Sequence, residues 1–499
     1  MSNIRRQSII SSGVVYIGFV VGLLNIYFFT KQDLFLSSQY GLTTIFIAIA
    51  TLMMAFSTLA MPSYIFKFYP YYKDNLPPSK NDMLSIALVV NTIGFILVMV
   101  AGLVFRHLVI RKFGANSPEL VRYYAWIFPM GFGLAVFTIL EAYTWSLKKP
   151  VLTSFLREVQ WRLLTTVIIV LFYFGLIPDF DLFIKLYAFT YPAIALTLLL
   201  YLLFTKNLHF TFRISKVTRR YAKKILTLCL FVYSGALIFY LSQVFDSLVI
   251  ASVLEDGTAK AGIFGLASIL TSVIQAPQRA VVATTIPHLS RAWKERNMEL
   301  LQKIYQRSSI NLLIFATGIF LLILLNYKES ILTFGINEEY LLGFNAFIFL
   351  GLTRVVDLGT GINTEIIGTS NYWRFQLISG VILLLLMLPL TLILARKYDI
   401  LGPAIAQFVS ISIYNAMRII FLWKKFRLFP FTIHSLYALL LGIAGYTLCY
   451  YLFRSMHGFP GLICRSLAFI ILYAGSIIYF KLSPDIMPVV EAIRKRLKI

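Results

Sequence analysis

The sequence predicts an all-α polytopic membrane protein of about fourteen transmembrane helices, and three observations carry that expectation. Hydrophobic residues make up 59% of the 499 and charged residues only 13%, where an ordinary globular chain carries about 25% charged residues. The apolar residues fall into successive runs near the ~20 residues that a spanning helix needs. The connections between runs are short, the longest on the outer side being about sixteen residues, so no soluble domain is expected.

The first run, 10–30, follows Arg5 and Arg6 and superficially resembles a signal peptide. Its end, Phe28-Phe29-Thr30-Lys31-Gln32-Asp33, offers no small-residue cleavage site, so a retained first span is expected. Runs at 41–65, 83–105, 122–146, 152–176 and 183–204 complete a first group of six. A second group follows at 226–253, 261–287, 308–326, 341–367, 375–395 and 401–423, and two more runs lie at 432–453 and 460–480. Pro62, Pro129, Pro192, Pro277 and Pro389 fall inside these runs. Spanning helices tolerate proline where neighbours or water satisfy the freed carbonyls.

The net charge of +24 would suggest nucleic acid in a soluble chain. Here it is expected to reflect loops facing anionic lipid, and no nucleic-acid partner is expected. On the N-terminal side of the membrane the ends and loops hold 28 of the 45 Lys and Arg, against 12 on the opposite side and five inside spans. The positive-inside rule then places both termini in the cytoplasm. One outer loop dissents, with Arg106, Arg111, Lys112 and Arg122.

Self-similarity is visible at an offset of about 222–225. Gly13, Tyr40-Gly41, Pro62 and Lys67 match Gly235, Ala261-Gly262, Pro287 and Arg291, and Glu141 matches Glu365. An even number of helices per repeat implies parallel halves about an axis along the membrane normal. The expected organisation is a six-helix lobe at 1–222, a second at 223–424, and two additional helices with a basic cytoplasmic tail at 425–499.

A charge at the bilayer centre costs ~2.5–3.5 kcal/mol on insertion scales, so each needs a reason. The candidates are Glu141, Arg157, Glu158, Arg162, Asp246, Arg279, Arg354, Asp357, Glu365 and Arg418. On a continuous helix Arg354, Asp357 and Glu365 share one face about 80° wide, which should line a cavity or meet polar partners. Arg354 and Asp357 could equally neutralise each other at i,i+3. Arg157, Arg162 and Arg279 could snorkel to the cytoplasmic interface, as could Arg418, one and a half turns before Lys424. Asp246 could accept a hydrogen bond between helices.

No phosphate-binding glycine loop, zinc spacing or nucleophile elbow occurs. Cys229, Cys449 and Cys464 form no spaced pair, and the five histidines are scattered. Pro178-Asp179-Phe180-Asp181 pairs two carboxylates, but in a loop of about seven residues with no domain to hold a sugar nucleotide. The expectation is a protein that is not an enzyme, with no cofactor and no metal site.

Thr30-Lys31, Gln39-Tyr40-Gly41-Leu42 and the run to Pro62-Ser63-Tyr64, with Asp246 to Gly262, Pro287-His288-Leu289-Ser290 and Gly402-Pro403-Ala404-Ile405-Ala406-Gln407, resemble bacterial polysaccharide flippases of the Wzx type. These belong to the multidrug/oligosaccharidyl-lipid/polysaccharide (MOP) exporter superfamily. The resemblance spans nearly the whole chain. It implies two MATE-like six-helix lobes working by alternating access in the bacterial cytoplasmic membrane, and a cationic cavity for an undecaprenyl-diphosphate-linked oligosaccharide. It also implies other polysaccharide-assembly membrane proteins as partners beside the lipid bilayer. The family has no strict signature for the cavity, so site residues rest on the charge argument. Arg279, Arg354, Arg157 and Arg418 are candidates to hold the diphosphate, since arginine can make bidentate charge-assisted bonds. Asp357, Glu365, Glu141 and Asp246 are candidates to couple H+ or Na+. A multidrug antiporter of organic cations and a peptidoglycan-precursor flippase remain as alternatives.

Overall fold

Lipid offers the backbone no hydrogen-bond partner, so an apolar chain of this kind has to close its own bonds within helices. The computed structural model describes residues 3–211, 213–372 and 374–485, and for residues 3–12, 279, 280 and 283 the backbone alone. It is helical throughout, with no strand among the described residues. Among the described residues thirteen helical runs are long and apolar enough to cross a membrane. The chain is an all-α, multi-pass membrane protein. Its tail, 486–499, lies outside the described residues.

The chain forms two compact units, Met1–Gly262 and Ile263–Ile499. The first begins with α1 (Asn3–Thr30), α2 (Ser37–Thr58), α3 (Met61–Asn75) and α4 (Met83–Val104). Then come the short α5 (Arg106–Phe113) and α6 (Pro118–Arg122), and α7 (Ile127–Ser146). The expected span 152–176 is built from α8 (Pro150–Ser154), a π-helical turn (Phe155–Gln160) and α9 (Trp161–Tyr173) in unbroken succession. It stands outside the thirteen because Arg157, Glu158 and Arg162 make it too highly charged. The unit continues with α10 (Phe180–Ala188), capped by the Asp179 carboxylate accepting from the Leu182 amide at 2.9 Å, and α11 (Thr190–Phe204). α12 (Lys216–Val253) starts where Ser215 accepts from the Thr218 amide. Its 38 residues measure about 57 Å at 1.5 Å per residue, well beyond a ~30 Å hydrocarbon core. The basic stretch from Lys216 to Lys224 is therefore a helical extension and not a loop.

Within this unit α2 and α7 form the centre, packed on α3, α4, α11 and α12, while α1 lies along α8, the π turn and α9. Tyr64, Phe68, Tyr72, Phe137, Leu140 and Leu198 belong to its core. The repeat-matched glycines pack closely. A Cβ on Gly41 would sit 1.7 Å from the Thr258 carbonyl oxygen and 2.8 Å from the Gly262 nitrogen, in the first turns of α13 (Gly257–Ile274).

The rest of α13 opens the second unit, followed by α14 (Ala276–Lys294), α15 (Met298–Thr333), α16 (Phe344–Gly359) and α17 (Asn363–Thr369). α18 (Arg374–Tyr398), α19 (Leu401–Phe426), α20 (Ile433–Leu452) and α21 (Gly458–Tyr479) complete it. α15 packs on α14, α16, α20 and α21, and α19 packs on α16 and α18.

Several expected spans are not continuous, the sixth dividing at Phe189 between α10 and α11. The second ends at Thr58, because Leu59 and Ala60 take left-handed backbone conformations and Pro62 starts α3. The eighth breaks at Gln275, ahead of Pro277, which lacks an N–H and clashes with the carbonyl four residues back. The tenth breaks between α16 and α17, where Gly361 has φ +71°. The Ser309 hydroxyl donates to the Gly359 carbonyl freed there, at 2.5 Å. The continuous-helix face joining Arg354 and Asp357 to Glu365 is thus corrected: Glu365 belongs to a separate helix.

Candidate functional site

Seven of the ten candidate charges gather into two clusters, one in each unit. In the first, the π turn does the arranging. A π turn holds one more residue than an α turn and so re-aims the side chains that follow. Arg157 reaches Glu141 of α7 with Nη2 to Oε2 at 2.7 Å and lies over the Phe137 ring at 5.4 Å. Glu158, its neighbour in sequence, pairs instead with Arg162 at 2.5 Å. α1 closes on this segment through glycine. A Cβ on Gly18 would lie 2.3 Å from the Glu158 carbonyl oxygen, and one on Gly22 would lie 2.8 Å from Arg162 Nε. Asn25 of α1 donates to the Arg162 carbonyl at 2.8 Å and accepts from Thr166 at 2.6 Å. Tyr191 and Tyr240 lie within electrostatic reach of both Arg157 and Glu141. Asp246, farther along α12, is buried.

In the second unit α16, α17, α18 and α19 enclose a polar cluster. Asn415 donates to Asp357 Oδ1 at 3.0 Å. Its own amide oxygen accepts from Thr360 at 3.0 Å and from Asn363 at 2.8 Å. Arg418, one turn further along α19, has 0% exposed surface. Its Nη1 donates to Thr364 at 2.5 Å and to Asn363 Oδ1 at 3.4 Å, and Nε and Nη2 donate to Ser379 Oγ at 3.2 and 3.1 Å. The guanidinium sits 4.0 Å from the Tyr414 ring centre. Glu365 and Asp357 lie within its electrostatic reach. The snorkelling expected of Arg418 is corrected. Ser379 of α18 and Tyr414 close over it, so it reaches no interface.

The structure therefore brings Arg157 to Glu141, and Asp357 and Glu365 into the surroundings of Arg418. Arg354 is half-buried on α16 one turn before Asp357. The backbone of Arg279 falls in the first turn of α14, and its side chain lies outside the described residues. Asn25, Asn363, Asn415, Thr364 and Ser379 were missed in the sequence because a search for charges passes over amides and hydroxyls. The available signal was Asn415 and Arg418 at i,i+3 in an apolar run, hence on one helix face.

An apolar groove of about 570 Å³ runs along the second unit, lined by Pro277 and Val281 of α14, by Phe315, Gly318 and Ile319 of α15, and by Ile470, Tyr473 and Ala474 of α21. Among the described residues its polar lining is Asn311 and Asp485, apart from the Tyr473 hydroxyl, which is turned to the Ile314 carbonyl. Asn311 donates to Asp485 at 2.7 Å, and Arg307 lies 3.7 Å from the same carboxylate. Among the described residues no three His, Cys, Asp or Glu side chains gather as a metal ion would require.

This arrangement of helices is similar in fold to several solved membrane proteins. The chain superposes on lipid II flippase MurJ in an inward closed conformation with a TM-score of 0.72, at 15% identity over 95% of this chain and 99% of that one. An inward-facing MATE-family multidrug resistance transporter of the MOP superfamily gives 0.63, at 15% identity over 84% and 99%. A MOP-superfamily transporter from Pyrococcus furiosus, described by the reversed polarity of its binding pocket, gives 0.51, at 16% identity over 88% and 95%. No family model and no curated protein sequence matches the chain.

Proposed function

We propose that this protein is a transporter that flips an undecaprenyl-diphosphate-linked oligosaccharide across the bacterial cytoplasmic membrane by alternating access. The observation that carries the reading is the apolar groove along α14, α15 and α21. An apolar lining of this kind suits the polyprenyl chain of a lipid-linked substrate. Pro277 and Val281 line the groove from the first turns of α14, the helix that also carries Arg279. Arg279 and Arg354 are the proposed holders of a diphosphate group joined to that chain, and Arg157 is a further candidate. Arg418 drops from this list because it is fully enclosed. Asp357, Glu365, Glu141 and Asp246 are the proposed sites for exchange of a coupling ion.

A peptidoglycan lipid precursor presents the same lipid diphosphate with another sugar, and the likeness of fold to MurJ supports that second reading. Binding by the purified protein in detergent decides among the classes, with three probes: an undecaprenyl-diphosphate oligosaccharide, lipid II and a lipophilic organic cation. Binding of either lipid diphosphate, weakened about ten- to a hundred-fold by Arg279→Ala or Arg354→Ala, is the expected result, since a charge-assisted hydrogen bond contributes ~1.5–3 kcal/mol. Retention of the cation alone refutes the proposal.

A further inference from the structure

The oxygens around Asp357 are of the kind that bind a small cation in a membrane: a carboxylate, two amide carbonyls and three hydroxyls, on four helices. Each of the neutral oxygens among them is already engaged, Thr360 Oγ1 with the Asp357 carbonyl and Asn363. Ser379 Oγ, Thr364 Oγ1 and Asn363 Oδ1 all accept from Arg418. The amide oxygen of Asn415 is taken by Thr360 and Asn363, so that its nitrogen faces Asp357. Asp357 thus meets a hydrogen-bond donor where a cation site would offer it an oxygen-lined space.

Arginine stays protonated under all relevant conditions. Enclosing a charge without a carboxylate in direct contact is costly, and neutral oxygens and an aromatic face offset only part of that cost. A residue held at such cost needs a reason. Packing alone does not supply one, since a leucine or methionine would fill the same place more cheaply.

We propose that Arg418 is a tethered cation that takes the place of a metal ion in this cluster, making the Asp357 site blind to sodium. The guanidinium supplies the positive charge that balances Asp357 and Glu365, and it holds Ser379, Thr364 and Asn363 in the positions that an ion would otherwise impose. Any ion exchange at Asp357 is then exchange of a proton. The inference concerns cation binding and is independent of which substrate is carried.

Thermal unfolding of the purified protein tests it, with 150 mM NaCl, KCl and choline chloride compared at constant ionic strength. The wild-type Tm is expected to be the same in all three salts. Arg418→Met frees the oxygens and removes the charge, so its Tm is expected to rise by about 2 °C or more in sodium over choline, as a ligand bound only to the folded state requires. Arg418→Lys restores a tethered charge and is expected to be as insensitive to sodium as the wild type. If Arg418→Met cannot be recovered from membranes, Arg418→Gln, which keeps a donor for Ser379, carries the same expectation. A sodium-specific rise in the wild type that Asp357→Asn abolishes overturns the proposal. So does a neutral Arg418 variant that remains blind to sodium.

Discussion

Removing either partner of the Arg157–Glu141 pair should have unequal effects, and the inequality follows from their surroundings. The Glu141 side chain is 9% exposed, and that of Arg157 38%. Arg157→Met strands a carboxylate that cannot reach water. Breaking a fully buried pair costs ~3–5 kcal/mol, and the partial exposure of Arg157 scales this to about 2–3 kcal/mol. Glu141→Gln strands a guanidinium that can swing outward and keep its contact with Phe137, so about 1 kcal/mol is expected. The double variant leaves no charge unpaired and should recover most of the loss. At roughly 2–4 °C per kcal/mol for units of this size, Arg157→Met should lower the Tm of the detergent-solubilised protein by about 4–12 °C, and Glu141→Gln by about 2–4 °C. Size-exclusion chromatography after heating measures both. Equal shifts, or a double variant as unstable as the sum of the single ones, would falsify the buried-pair argument.

Gly18→Ala should cost about 1–3 kcal/mol, because its new methyl meets a backbone carbonyl. Gly22→Ala should cost less than about 1 kcal/mol, because it meets the movable end of Arg162; the order of their melting temperatures is the check. Gly361→Ala should cost about 1–2 kcal/mol from the left-handed backbone, and more from crowding against Ser308 Oγ and Ser309 N at 3.1 Å; a melting temperature equal to wild type would refute the helix break. Ala474→Trp, an exposed groove position, should leave stability unchanged and lower binding of a lipid diphosphate by about tenfold or more; unaltered binding would remove the groove from the proposed path. Asp357→Asn and Glu365→Gln should each alter the dependence of transport on the proton gradient; transport unchanged in both variants, with and without the gradient, would refute their coupling role.

The positions of the helices were legible because lipid forces every spanning segment to be both apolar and about twenty residues long. Where the helices break was less so. Pro277 and Gly361 are plain in the sequence, but proline is tolerated elsewhere in these spans, and Gly361 matters because Ser308 and Ser309 of α15 lie against it. Nothing in the letters around Phe155 announces a π turn. The charged residues were all visible, and their partners were not. Arg418 looks interfacial from its distance to Lys424, yet Ser379, 39 residues earlier in the chain, encloses it. Pairing by nearness in sequence likewise missed that Asp357 turns to Asn415, 58 residues on.

A π turn is the trace of a single extra residue in a helix. Every position after Phe155–Gln160 is rotated by about 100° from where an uninterrupted α-helix would carry it. Deleting one residue within the turn would therefore do more than shorten the helix. It would turn the Trp161–Tyr173 segment so that Thr166 left Asn25 and Trp161 left Thr190, to which its indole nitrogen donates at 3.1 Å.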